Sequence, residues 1–320
     1  MMRPLLQQQR TDERLLIGIS EPDDAAVYQM DDQTALVFTA DFITPVVDDA
    51  YMWGAIAAVN SMSDVYAMGG RPALVLNIVG FPKDMPTEIA TKVMEGGFTQ
   101  VREAGALVVG GHTVEDEEPK FGLAVIGFAN PNQLLRKGNA KPGDYVVLTK
   151  SIGTGLLAKC GKHAVIAKEH LDIAQRSMLT SNKVASEVAI THRLSAGTDV
   201  TGFALLGHMS EMANLSHVQF DISYDSIPVL PGALIQAKDG SYWPTKTWEN
   251  QEYFGGTIEF SPNLQSFQKD LLFSPETSGG LLVTVSADKL ENVLSDLRVK
   301  GQVGHVIGRV AAGEGIVVRP

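Results

Sequence analysis

The apolar residues of this chain come in short runs, the longest typified by Pro72–Phe81 (PALVLNIVGF), and turn formers such as Gly, Pro, Asn and Asp separate them. A membrane-spanning helix needs roughly 20 consecutive apolar residues. Runs this short must instead be strands or helix faces buried in a folded core. The opening Met1–Arg10 (MMRPLLQQQR) lacks the apolar centre of a signal peptide. A single cysteine, Cys160, excludes an internal disulfide and a thiolate-cage zinc site. The expectation is a cytoplasmic protein in a reducing compartment, with no membrane partner.

The runs fall into two series. Strands are expected at 15–19, 35–39, 73–79, 106–109 and 122–129, with a small-residue helix from Ala50 to Met68 stopped by Gly69-Gly70, and a second helix from Thr87 to Ala104. The segment Asn130–Gly143 (NPNQLLRKGNAKPG) reads as a boundary. Beyond it, strands are expected at 145–149, 218–222 and 281–285, helices at 173–191 and 203–213, and a final strand-pair region at 303–310. Strands and helices alternate without a strict βαβ period, which predicts two α+β modules. The division is a short segment 1–14, an N-terminal domain 15–135 and a C-terminal domain 136–320. With 320 residues there is room for a packed core in each.

Charge narrows the partners. The chain has 26 basic and 37 acidic residues, a formal net charge of −11, and no Lys/Arg cluster. That argues against nucleic acid. A bound cation could offset local acid clusters. Asp24, Asp41 and Asp64 stand at the ends of apolar elements or inside the small-residue helix, and Asp199 sits in the glycine-framed turn Gly197–Gly202 (GTDVTG). Such carboxylates either converge on a hard cation such as Mg²⁺ or act as caps and turn formers. Asn60 and Asp64, four apart, share a helix face.

Three glycine-rich turns are expected, at Gly110-Gly111-His112-Thr113, Gly153-Thr154-Gly155 and Thr277-Ser278-Gly279-Gly280, and each could offer backbone N–H groups to phosphate. None is a P-loop or a dinucleotide fingerprint. The seven histidines show no metal-ligand spacing; His112 and His208 lie in motif-like turns, as ligand contacts or as capping or core residues. Cys160 sits between lysines that could lower its pKa, but no base pairs with it, so it reads as structural. The aromatic cluster Tyr242–Trp248 reads as a surface loop or flap. From the residues alone, the reading is a Mg²⁺-dependent nucleotide-binding enzyme.

Taken together, the blocks Asp23–Tyr28, Thr39–Phe42, Asn60–Gly70, Gly110–Thr113, Phe121–Val125, Thr198–His208 and Thr277–Leu282 resemble selenophosphate synthetase (selenide, water dikinase). That family belongs to the superfamily that includes aminoimidazole ribonucleotide synthetase. The resemblance runs in family order from about Leu15 to the C-terminus. It implies a two-module α+β fold whose N-terminal sheets pair into a barrel in a homodimer, with a C-terminal α/β sandwich. It also implies ATP at the cleft between modules, Mg²⁺ held by Asp24, Asp41, Asp64 and Asp199, and nucleotide contacts from Thr39, Asp41, Asn60, Asp64, Gly110, Gly111, His112 and Thr113. The implied reaction turns selenide, ATP and water into selenophosphate, AMP and phosphate.

The chain departs from the pattern in three places. The family's glycine-rich segment with a catalytic Cys or selenocysteine and a Lys has no counterpart after Met1, so it is expected upstream, hidden behind a UGA codon if its catalytic residue is selenocysteine. The family's Gly-Gly-Thr-x-x-Asn is replaced by Pro244–Asn250, keeping Thr247 and Asn250, and its Asp-Pro is Ser274-Pro275. Three functions follow: a dikinase of this kind, a relative that acts on another small acceptor and yields ADP, or a nucleotide-binding pseudoenzyme.

Overall fold

The computed structural model describes residues 12–320; the expectations for Met1–Arg10 and for most of segment 1–14 lie outside the described residues. The N-terminal half forms one sheet from β1 (Leu15–Ile17), β2 (Ala26–Gln29), β3 (Ala35–Ile43), β4 (Arg71–Phe81), β5 (Leu107–Glu115) and β6 (Lys120–Ala129), in the order β1-β2-β3-β6-β4-β5. All pairs are antiparallel except β4 with β5. Parallel pairing requires a crossover, and α2 (Thr87–Ala104) supplies it.

The other helix, α1 (Ala50–Ala67), starts at Asp49, whose carboxylate accepts from Met52 N at 2.8 Å. It ends at Gly69, which adopts the left-handed conformation (φ 75°). Buried residues surround α1 on nearly every side, which explains its run of Ala, Gly and Ser. Its contact with α2 is backbone-close: a Cβ on Gly54 would lie 1.8 Å from Val93 O, and one on Gly96 would lie 1.9 Å from Tyr51 O.

The second half builds a seven-stranded sheet, β10-β13-β9-β12-β7-β11-β8. Its strands are β7 (Tyr145–Leu148), β8 (Gly197–Asp199), β9 (Gln219–Ser223), β10 (Ile258–Phe260), β11 (Leu281–Val285), β12 (His305–Ala311) and β13 (Gly315–Arg319). Its helices are α3 (Thr154–Lys162), α4 (Lys168–Leu179), α5 (Lys183–Thr191), α6 (Ala204–Ser216), α7 (Ala233–Asp239), α8 (Lys246–Phe254), α9 (Ser266–Leu272) and α10 (Leu290–Val299). The main apolar cluster of this half gathers β7, β9, β11 and β12 with α6 around Phe220, Leu148, Leu206 and Phe273.

Four expectations change. The helix expected over 173–191 is two helices, broken at Thr180-Ser181-Asn182. The strand expected to stop at Val109 runs on through Gly110–Thr113. The tail strands do not pair with each other, because β9 lies between them. The Tyr242–Trp248 cluster is not a simple loop: its last three residues open α8.

Candidate active site at the seam between the two halves

Strand alternation aims the first two groups. In β3, Thr39 and Asp41 point toward α1, while Phe38 and Phe42 point to the opposite face. On α1, Asn60 and Asp64 meet them: Thr39 Oγ1 donates to Asp64 Oδ2 at 2.5 Å, and the Asn60 amide donates to Asp41. The loop before β2 brings Asp24, and the end of β8 brings Asp199 from the other half. Asp24, Asp41 and Asp64 line one cleft, and Asp199 is tied through Ser63 Oγ to the helix that carries Asp64. Burial raises the Asp64 pKa well above the carboxylate range, and the charges of Asp199, Asp24 and Asp41 push it further in the same direction. Burial, with help from Asp24, pushes Asp199 up to about 6. Burial also raises Asp41.

The cleft beside them holds about 520 Å³ and is lined from both halves: Asp24, Thr39, Asp41, Asn60 and Asp64 on one side, and Thr201, Gly202, Glu276 and Thr277 on the other. Among the described residues, no three His, Cys, Asp or Glu side chains converge tightly enough to hold one metal ion by themselves.

Lys137, read from the sequence as part of a basic boundary segment, is buried in the site. Its Nζ lies 2.9 Å from Asp24 Oδ1 and 3.0 Å from Glu211 Oε2. Burial lowers the lysine pKa, but Asp24 and Glu211 outweigh that and hold it above its ordinary value. Thr198 Oγ1 also donates to Asp24 Oδ1 at 2.8 Å, while Asp24 Oδ2 is buried without a partner. Asp23, pushed up to about 7 by burial and by Asp24, accepts from Lys137 N at 3.2 Å. An acidic pair next to a loop and one lysine in a Gly/Pro-rich stretch carry no periodic signal, which is why sequence reasoning passed over Lys137.

The expected glycine turns fare differently. Gly110 and Gly111 are strand residues; a Cβ on Gly111 would fall 2.5 Å from Asn77 O on the neighbouring strand, so close approach of β4 requires glycine there. By register, Gly110 and His112 pair with Leu76 and Ile78, on the sheet face opposite Asp41, and β4 and β6 separate β5 from β3. Gly110, Gly111, His112 and Thr113 therefore lie outside the cleft lined by Asp41 and Asp64. At Gly153-Thr154, the backbone N–H groups are buried and already satisfied: Glu276 accepts from Gly153 N at 2.7 Å and from Thr154 N at 2.8 Å. Burial pushes Glu276 up to about 7 despite these donors. Only the Thr277–Gly280 turn reaches the cleft, through Thr277.

The remaining candidates are structural. His208 is buried, with Nε2 3.2 Å from Thr201 Oγ1 and Nδ1 3.3 Å from Glu211. Cys160 is buried, and burial pushes its thiol up to about 11, the reverse of activation by lysines. Thr247 and Asn250 are buried; the Asn250 amide donates to Gly202 O at 3.0 Å and to Phe273 O at 3.1 Å, tying together two loops that flank the cleft. Ser274 is buried with its hydroxyl unpartnered.

A two-domain α/β chain with carboxylates facing a shared seam defines a class, and comparison with known proteins gives the same one. Residues 22–129 match the N-terminal domain of AIR synthase related proteins, and residues 141–319 match their C-terminal domain. Thiamine-monophosphate kinase from Stenotrophomonas maltophilia K279a shares the fold, with a TM-score of 0.71 at 20% identity over 98% of this chain and 93% of that one. So does hydrogenase maturation protein HypE in complex with ATP, at 0.67 and 18% over 99% and 86%. Within the class, the chain is 42% identical over 299 residues to the selenide, water dikinase of Clostridioides difficile (strain 630), covering 93% of this chain and 86% of the relative. It is 41% identical over 304 residues to selenide, water dikinase 2 of Peptoclostridium acidaminophilum, covering 95% and 87%. The chain belongs to the selenide, water dikinase family.

Proposed function

We propose that this protein is an ATP-dependent selenide, water dikinase that converts selenide, ATP and water to selenophosphate, AMP and phosphate. The observation that carries the reading is similarity to dikinases at about 40% identity over 93–95% of this chain, joined to Asp24, Asp41 and Asp64 lining one cleft between the halves, with Asp199 held beside it through Ser63. A buried unpaired carboxylate is costly, and two or more facing each other are costlier. The residues fit Mg²⁺: Asp24 Oδ2 is a buried oxygen without a partner, and Asp64 and Asp199 repel one another. Magnesium keeps waters and phosphate oxygens in its shell, so one or two carboxylates per ion suffice.

In this reading Asp24, Asp41, Asp64 and Asp199 hold Mg²⁺, which supplies charge neutralisation for the triphosphate. The chain's own groups set the stage for it. Lys137 and Thr198 fix one oxygen of Asp24 and leave the other facing the cation. Thr39 and Asn60 orient Asp64 and Asp41. Thr277 and Gly202 border the space for phosphate oxygens.

The outer face of the N-terminal sheet carries Phe38, Phe42, Leu76 and Phe128, each about 45–49% exposed, and supports a homodimer paired through that face. His112 shares the face, and under that pairing Gly110, Gly111, His112 and Thr113 serve the partner's cleft rather than their own.

The test uses protein expressed from the native gene, including the sequence upstream of the Met1 codon, and analyses products by chromatography. Selenide-dependent AMP supports the dikinase; ADP points to another acceptor; tight Mg·ATP binding without turnover points to a pseudoenzyme. Asp64→Ala should keep the fold and weaken Mg²⁺-dependent ATP binding by about 100-fold or more, since even groups that only orient metal ligands cost about 10–100-fold. Wild-type affinity in that variant would remove Asp64 from the site.

A further inference from the structure

The break in the helix expected over 173–191 places one side chain, Asn182, in the middle of the seam. Asn182 is 1% exposed. Its amide nitrogen donates to Ser63 Oγ at 2.9 Å and to Gly279 O at 2.8 Å. Ser63 belongs to α1 and in turn donates to Asp199 Oδ2 at 2.5 Å. Gly279 belongs to the Thr277–Gly280 turn that borders the cleft. Thus one amide from the second half acts through a hydroxyl of the first half on a carboxylate of the second half.

The chemistry of the three groups fixes the direction of this chain. Carboxylate oxygens of an ionised aspartate only accept, and an amide nitrogen only donates. A serine hydroxyl has one proton, so with the Asn182 amide occupying a lone pair its proton is directed at Asp199 Oδ2. The surroundings hold Asn182 in place from both sides. Lys150, buried, donates to Thr180 O at the helix break and to Ser278 O at 2.8 Å in the turn. Asn60 Oδ1 accepts from Ser278 N at 2.8 Å. Ser278 sits at φ 51°, a left-handed conformation that non-glycine residues rarely adopt and that persists only where neighbours fix it.

We infer that Asn182 is a positioning residue for the cation site: through Ser63 it commits Asp199 Oδ2 to a hydrogen bond and leaves the other oxygen to the metal. This rests on the Mg²⁺ assignment of Asp199 made above. Groups that orient ligating carboxylates without touching the metal change metal affinity about 10–100-fold, whereas a purely structural amide would change only stability.

The test reads the Mg²⁺ concentration that gives half of the rise in thermal midpoint produced by a non-hydrolysable ATP analogue, with wild type, Asn182→Ala, Ser63→Ala and the double variant. The expected result is an increase of about 10-fold in that concentration for each single variant. The double variant should need no more Mg²⁺ than Ser63→Ala alone, because Asn182 acts through Ser63. Ser63→Ala removes one hydroxyl and keeps packing, so it reports even if Asn182→Ala folds poorly. Additive losses in the double variant, or a Mg²⁺ requirement unchanged in Ser63→Ala, would overturn the inference and leave the cation site standing. A wild-type protein whose analogue binding ignores Mg²⁺ would overturn the cation site and this inference together.

Discussion

The two sheets use the same strand alternation to different ends. In the C-terminal sheet, all five residues of β11 are buried and β8 is buried throughout, so both faces are covered at that end, while toward β9 and β13 the residues facing away from the core, such as Gln219, Asp221 and Arg319, are polar. In the N-terminal sheet, one face packs on α1 through Val37, Val75, Leu123 and Val125, while the other presents Phe38, Phe42, Leu76 and Phe128 to solvent. An antiparallel sheet can leave one face to water, but that face is then normally polar. The first sheet has the composition of a covered sheet without a cover among the described residues. The second half covers its apolar faces with its own chain and edges them with polar residues, whereas the first leaves one apolar face open. Strand β3 joins these roles, since its odd residues make the cleft and its even residues make the apolar face.

The comparison predicts opposite responses to the same insult. Leu282→Asp places a charge where both faces are sealed, and it should abolish folded protein, a cost beyond about 4–5 kcal/mol. Circular dichroism and soluble yield check it. Phe128→Asp places the same charge on the open face, and it should leave the secondary structure and the midpoint of thermal unfolding nearly unchanged. Its effect should appear in sedimentation, as a dimer dissociation constant raised about 100-fold, equivalent to about 3 kcal/mol at an interface centre. ATP affinity should fall with dimer loss if Gly110–Thr113 serve the partner. A Phe128→Asp chain that unfolds, or a wild type that is a monomer at micromolar concentration, would break the comparison.

Periodicity made α2 legible to within a residue or two, and composition did the same for α1 and β11, a small-residue run stopped by Gly69-Gly70 and a short apolar run opened by Gly279-Gly280. The aspartates were legible as positions, since carboxylates at element ends are conspicuous. Their partners were not. Nothing marks Lys137 within the boundary segment until folding buries it against Asp24, and Asn182 reads as mid-helix until tertiary contacts at Ser63 and Gly279 outweigh helix continuity. The surroundings of the glycine stretches were hidden for the same reason: Gly110-Gly111 lies in a strand and Gly111 answers a steric demand from Asn77, while Gly153 donates to one acid, Glu276, that is 123 residues distant in sequence. What sequence hides here is long-range pairing of polar groups across the seam.

That seam also sets the smallest predicted effect, on pH. Asp199, pushed up to about 6 first by burial and then by Asp24, and Glu276, pushed up to about 7 by burial, bind protons more tightly folded than unfolded, where the reference values are 3.8 and 4.5. Over that window the folded state holds more protons than the unfolded one, so stability without ligands should fall as pH rises from about 4 to about 7. Lys150 works the other way. Burial pulls it down to about 7 from 10.5, so the folded state releases its proton first and stability is regained as pH rises above 7. The thermal midpoint should therefore pass through a shallow minimum near neutral pH, roughly 5 °C deep. Mg²⁺ with an ATP analogue competes with the proton on Asp199 and should flatten the acid limb, while Glu276→Gln should flatten it without any ligand. Because both halves share the seam, one cooperative transition should carry the whole profile. Two separate transitions, only one of them sensitive to pH, would show that the two halves are energetically independent.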